Sequence, residues 1–212
     1  MDTQTAVAIM ARYPAAGGAK TRLANAMGAT GAAEFYRQCA SQIFSEMSNL
    51  PEWIRKYLFY TGAGLGDFQE WVGDGYLFRK QKGQTLGDRL INAFDIMFKD
   101  GIRRAVIIAS DVPDVSASLV TTSLEVLEAY DVVLGPSHDG GYYLIGLPGL
   151  NKKLFKDIEW GSCKVLQQTI HRIEAAGLNK HMLPTLIDID TIEDYQLWQS
   201  SRSQRVTANG GR

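Results

Sequence analysis

The sequence is poor in cysteine, proline and histidine, has no strong charge of either sign and contains no long apolar run. Its 212 residues include two cysteines, six prolines and three histidines. Cys39 and Cys163 are too few for the disulfide scaffold of a small secreted domain, and they lack the paired spacing of a zinc finger. A chain of this length needs no such staple, because it buries roughly 70% of its unfolded surface. No stretch approaches the roughly 18 apolar residues of a membrane span. Residues 1–5 are polar, and the apolar run at 6–11 is shorter than a secretory signal core. A cytoplasmic protein is the expectation. Lys plus Arg number 22 against 23 Asp plus Glu. That balance provides no whole-molecule field for nucleic acid or an anionic membrane, and neither is expected as a partner. The histidines, His138, His171 and His181, show no ligand spacing, and no Ser-His-Asp or Cys-His arrangement emerges.

Short continuous apolar runs are present instead, at residues 6–10, 57–60, 105–109, 132–134 and 142–147. Unbroken runs suit strands covered on both faces, as in a parallel sheet. Between them, three stripes repeat at spacings of three and four. They are Tyr36, Cys39, Ala40, Ile43, Phe44 and Met47; Leu86, Leu90, Phe94, Met97 and Phe98; and Val165, Leu166, Thr169, Ile170 and Ile173. Each predicts the core-facing side of a helix, with Cys39 a small buried hydrophobe. Strands alternating with helices predict an α/β layered domain. Residues 137–141 are too few for a parallel crossover, so 132–136 and 142–147 should form an antiparallel hairpin in a mixed, mostly parallel sheet. One domain over residues 1–199 is expected, followed by a flexible polar tail at 200–212. Thr191 and Asp194 fit a capping box that opens a last helix.

The segment after the first strand combines Arg12, Gly17, Gly18, Lys20 and Arg22. Ligands of open α/β sheets bind beyond the carboxyl ends of strands, and glycines let backbone approach them closely. An arginine grips phosphate bidentately and a lysine acts as a point charge. The segment has neither the Walker A spacing nor G-x-G-x-x-G, which argues against a P-loop kinase and a dinucleotide dehydrogenase. A solvated basic loop is the plainer alternative.

Carboxylates cluster at other strand ends. Asp111 follows the run at 105–109, and its oxygens suit Mg²⁺ or Mn²⁺ shared with substrate phosphates. Asp114 or Ser116 can instead cap the helix carrying Leu119, Val120 and Leu127. Asp188 and Asp190 end a short predicted strand over 186–190 and lie two apart, so both face one side. One could complete the metal site while the other caps the next helix. Asp139 precedes Gly140-Gly141 in what reads as turn chemistry, yet it borders Tyr142 and Tyr143, which could stack on a base or sugar.

Six segments occur in one order: Arg12-Tyr13-Pro14 with Lys20-Thr21-Arg22-Leu23, Gln84-Thr85-Leu86-Gly87-Asp88-Arg89-Leu90, Ser110-Asp111-Val112-Pro113-Asp114, Ser137-His138-Asp139-Gly140-Gly141-Tyr142-Tyr143, Trp160-Gly161-Ser162, and Asp188-Ile189-Asp190-Thr191-Ile192-Glu193-Asp194. Together they resemble bacterial nucleotide-diphospho-sugar transferases of the arsenosugar-biosynthesis, radical-SAM-associated type, over about residues 5 to 198. The resemblance implies a glycosyltransferase A fold, a three-layer α/β architecture with helices flanking the mixed sheet. It implies transfer of a sugar from a nucleoside-diphosphate donor to a small acceptor, assisted by Mg²⁺ or Mn²⁺. The expected roles are phosphate binding by Arg12, Gly17, Gly18, Lys20 and Arg22, and metal binding by Asp111 and Asp188. Tyr142 and Trp160 are expected to bind substrate, and Asp139 to act as catalytic base. The first and last segments are also similar to guanylyltransferases, so nucleotidylyl transfer with release of pyrophosphate is the alternative, and a non-catalytic nucleotide-binding protein is the second. Asp111 and Asp114 are three apart, which departs from a strict Asp-x-Asp metal motif.

Overall fold

The computed structural model describes residues 4–18 and 20–209. Strand β1 (Thr5–Arg12) leads into helix α1 (Thr21–Ser48), then β2 (Ile54–Thr61), α2 (Leu65–Val72), β3 (Leu77–Lys80), α3 (Leu86–Lys99) and β4 (Arg104–Ala109). Helix α4 (Ala117–Val126), strands β5 (Val132–Pro136) and β6 (Tyr142–Leu147), and a 3₁₀ turn (Lys152–Phe155) follow. Helix α5 (Val165–Ala175), strand β7 (Lys180–Met182) and helix α6 (Ile192–Asn209) complete the chain.

The strands form one sheet in the order β3-β2-β1-β4-β6-β5-β7. β1 pairs in parallel with both β2 and β4, and β5 in parallel with β7. β6 alone runs against its neighbours, β4 and β5. The β5–β6 hairpin is thus the predicted antiparallel pair, because its five-residue connection can only reverse the chain. The sheet is covered on both faces, which is why its strands read as unbroken apolar runs. Val7, Ile9, Leu58, Val106 and Ile108 face α1, α2 and α4. Ala6, Ala8, Phe59, Ala105 and Ile107 face α3, α5 and the 3₁₀ turn. Tyr36, Cys39, Ala40, Ile43, Phe44 and Met47 are all buried, as the first helical stripe predicts.

Several elements depart from the sequence reading. Edge strands β3 and β7 carry too few apolar residues for their runs to stand out. Residues 186–190 are not a strand; one parallel bridge, Ser137 to Leu186, ties them to the end of β5. Leu86 opens the α3 stripe yet is 44% exposed, because it sits at the first turn, beyond the sheet edge. The polar segment expected to be a tail from residue 200 continues α6 to Asn209, and residues 210–212 lie outside the described residues. The Thr191–Asp194 capping box is present: Asp194 N–H donates to Thr191 Oγ1 at 3.2 Å, and Asp194 Oδ2 accepts from Thr191 N–H at 2.8 Å.

Gly135 is set by close approach. The place where a Cβ of Gly135 would stand is filled by the Tyr143 ring, whose hydroxyl donates to the Pro184 carbonyl at 3.0 Å. The ring is therefore tied at its far end. Gly135→Ala should lower unfolding free energy by about 1–3 kcal/mol through overpacking. A denaturant midpoint equal to that of the wild type would show that the ring has room to move.

Candidate active-site cleft

The parallel strands β1, β2 and β4 end at one edge of the sheet, where Arg12, Thr61 and Ala109 open onto a cleft of about 630 Å³. Tyr36 of α1 ties two of these ends together. Its hydroxyl accepts the Arg12 N–H at 3.0 Å and shares a 2.7 Å hydrogen bond with Ser110 Oγ. Burial, reinforced by the Asp111 charge, pushes the Tyr36 phenol up to about 12 and keeps it neutral. Gln81, beyond β3, bridges the strands from the other side by donating to the carbonyls of Ala11 and Phe59.

Asp111 lies two residues past β4. Asp188 and Asp190 reach it from residues 186–190, which are held beside β5 by the Leu186 N–H bond to Pro136 and the His138 N–H bond to Leu186. Their spacing of two on extended chain turns both carboxylates the same way. The Lys20 ammonium sits among the three, 2.9 Å from Asp111 Oδ2, 2.9 Å from Asp188 Oδ1 and 2.6 Å from Asp190 Oδ1. Its side chain is only 5% exposed. Burial alone would lower the lysine's pKa, but the three carboxylates outweigh it and hold it well above the ordinary value. Asp188 is shifted upward by its burial and by the Asp111 charge, against the pull of Lys20. The backbone of Lys20 is left-handed, at φ 49°, an uncommon conformation for a residue other than glycine.

One oxygen from each of Asp111, Asp188 and Asp190 lies within 4.8 Å of the others. Hard carboxylate oxygens are the donors that Mg²⁺ and Mn²⁺ prefer. The ammonium already at their focus is a stand-in cation, so this donor set fits a divalent ion. Lys20, expected from sequence to face phosphate, is here spent on these carboxylates.

Arginines line the rest of the polar wall. Arg12, Arg22 and Arg89 all border the cleft. Arg22 is 71% exposed and stands 3.9 Å from Asp190 Oδ2, a loose pair that leaves it available. Arg89, from α3, donates through Nε to the Gly83 carbonyl at 3.3 Å. Gly18 borders the cleft, while Gly17 makes the turn before it at φ 74°.

Tyr142 and Trp160 form the apolar wall, their rings edge-to-face with centroids 6.5 Å apart. Trp160 lies so close to Gly87 that a Cβ there would meet its indole nitrogen at 2.7 Å. The Tyr142 hydroxyl is buried beside that of Thr169, which itself donates to Val165. Tyr143 points to the opposite face of the sheet, into the core. Asp139 borders the cleft and also closes a turn: its Oδ1 accepts from Ser137 Oγ and, at 3.0 Å, from Gly141 N–H. Asp114 is turned elsewhere and accepts from Trp198 Nε1, while Ser116 caps α4.

Sequence reasoning assigned no role to Arg89, Tyr36 or Gln81. Arg89 belongs to the Gln84 to Leu90 segment, and Tyr36 lies on a helical stripe where its polar tip is the one available signal. Gln81 had none, because what it joins is distant in sequence.

A family model described as "uncharacterized protein conserved in bacteria" (DUF2064) matches residues 46–162. No curated protein matches the chain. Among solved structures, a candidate nucleotide-diphospho-sugar transferase from Desulfovibrio desulfuricans G20 is 32% identical, with a TM-score of 0.87 over 93% of this chain and 87% of that one. CMP:2-keto-3-deoxy-manno-octonic acid synthetase in complex with CTP is 11% identical, with a TM-score of 0.58 over 95% and 99% of the two chains. Rv0371C from Mycobacterium tuberculosis H37Rv, in complex with manganese, is 12% identical, with a TM-score of 0.50 over 91% and 96%. The last two likenesses establish the fold alone.

Proposed function

We propose that this chain, which belongs to the bacterial family DUF2064, is a transferase that moves a glycosyl group from a nucleoside-diphosphate sugar to the hydroxyl of a small acceptor. The observation that carries the reading is the pairing of three convergent carboxylates with Arg12, Arg22 and Arg89 across one cleft at the strand ends. Asp111, Asp188 and Asp190 would hold Mg²⁺ or Mn²⁺, which when bound supplies charge neutralisation for a departing diphosphate. A protein of like fold, Rv0371C, was solved as a manganese complex, which is in keeping with a divalent ion in this cleft.

The chain's own groups then divide the work. Arg12 and Arg22 grip phosphate oxygens, and Gly17-Gly18 let the backbone come close. Tyr142 and Trp160 offer an apolar wall for a sugar or base. The acceptor oxygen bonds to the anomeric carbon as the bond from that carbon to the phosphate oxygen breaks. Nucleoside diphosphate leaves, and the acceptor proton passes to Asp139. Among the described residues its hydrogen bonds fall on Oδ1, so Oδ2 is the atom to receive it.

The same charges serve nucleotidylyl transfer, with attack at the α-phosphorus and loss of pyrophosphate. The CTP-bound synthetase of like fold favours keeping this reading. Product analysis separates the two. After incubation with nucleotide sugars and Mn²⁺, nucleoside diphosphate indicates glycosyl transfer; pyrophosphate from a nucleoside triphosphate indicates the other. Nucleotide binding with no turnover under either condition would leave a binding protein.

Arg22→Ala should weaken nucleotide binding by about 1.5–3 kcal/mol, the range for hydrogen bonds to charged groups. Its exposure places it at the lower end of that range. Calorimetry showing unchanged affinity would remove Arg22 from the phosphate site.

A further inference from the structure

We infer that Lys20 is an exchangeable resident cation: its ammonium holds Asp111, Asp188 and Asp190 together until a divalent ion takes its place, and the displaced side chain then turns to the substrate phosphates. The inference rests on the reading of the three aspartates as a metal site.

The geometry makes the two cations competitors. The ammonium contacts one oxygen of each carboxylate at 2.6–2.9 Å, so it fills the point where an ion bound by all three would sit. Charge runs the same way. Three carboxylates against one ammonium leave an excess of two negative charges, which a monovalent cation cannot offset. A divalent ion leaves an excess of one and frees a positive charge beside Arg12 and Arg22, where phosphates are expected.

The exchange is a swing of the lysine stem. Residues 21–27 lie between Gly17 and Gly28, both at positive φ, and Gly28 interrupts α1. Yet Leu23 is fully buried and pins this first turn to the core. The segment stays in place, and the four-carbon stem of Lys20, with its rotatable bonds, carries the ammonium from one partner to another. Until then, Lys20 keeps three mutually repelling carboxylates assembled in a partly buried site.

The test measures Mn²⁺ binding by electron paramagnetic resonance, without nucleotide, for wild type, Lys20→Met and Asp111→Asn. Lys20→Met removes the competitor and should bind Mn²⁺ about tenfold more tightly than wild type or better, equal to about 1.4 kcal/mol. Asp111→Asn should bind more weakly than wild type. Equal or weaker binding by Lys20→Met, with loss in Asp111→Asn, overturns the exchange and leaves the metal site standing. No Mn²⁺ binding by either wild type or Lys20→Met, with or without nucleotide, overturns the metal reading itself. Wild type supplies a second readout that needs no variant to fold. Amine labelling followed by mass spectrometry should find Lys20 protected without metal and labelled on adding Mn²⁺. Protection that persists at saturating Mn²⁺ overturns the exchange.

Discussion

Lys20→Met is expected to lower the unfolding free energy by about 3–5 kcal/mol near neutral pH, the cost of stripping a buried charge cluster of its counter-charge. The substitution keeps the length of the stem and its packing, so the loss isolates the ammonium. In the wild type the lysine's pKa is raised, so its stabilising contribution is complete below the ordinary lysine range and is lost only above it. The ammonium therefore stays charged at neutral pH. The variant differs. Asp188 is already raised by its burial and by Asp111, and Lys20 is what draws it down. Without Lys20 the folded Asp188 binds its proton more tightly still than an unfolded carboxylate, so stability is greater at low pH and falls as pH rises through its folded value. The deficit should thus be largest at neutral pH and above, and shrink on acidification toward the ordinary carboxylate range. Urea unfolding of both proteins across that range measures it. A deficit that stays constant with pH would mean that the loss comes from packing.

The fold was more legible than the site, for a physical reason. Strands buried on both faces and helices with one buried face write their periodicity directly into the chain, as at 105–109 and along Tyr36 to Met47. Edge elements such as β3 and β7 bury little and leave no such mark. The carboxylates were each visible as polar residues closing an apolar run. Their convergence was not visible in the same sense, since Lys20 and Asp188 are 168 residues apart and only the sheet order brings them together. Lys20 shows the limit most clearly. A basic residue beside two glycines reads as a phosphate ligand, and nothing local indicates that its ammonium lies against Asp111, Asp188 and Asp190. Arg89 carries no local signal of a site, because its neighbour Leu90 writes only the buried face of the helix into the chain.

Asp111→Asn should abolish transfer, with kcat reduced by on the order of 10²–10³ or more, the loss seen when one preorganised stabilising group is removed from a transition state. The change keeps size and hydrogen-bonding shape and removes one charge. Its effect on folding should be small, because two opposing terms are nearly balanced. The ammonium of Lys20 loses a partner at 2.9 Å but keeps Asp188 and Asp190. Asp188 in turn loses the repulsion that Asp111 exerts on it. Burial of the site argues in the same direction, since an amide is less costly to desolvate than a carboxylate. Thermal melting should therefore find the variant close to wild type while turnover is lost. Chelation gives the complementary arm: EDTA should silence the wild type, and added Mn²⁺ should restore it but leave the variant silent. If wild type works in EDTA and the Asn variant works as well, no divalent ion acts at this site. Asp111 would then be a substrate-hydroxyl ligand, and the three carboxylates would serve only to anchor Lys20.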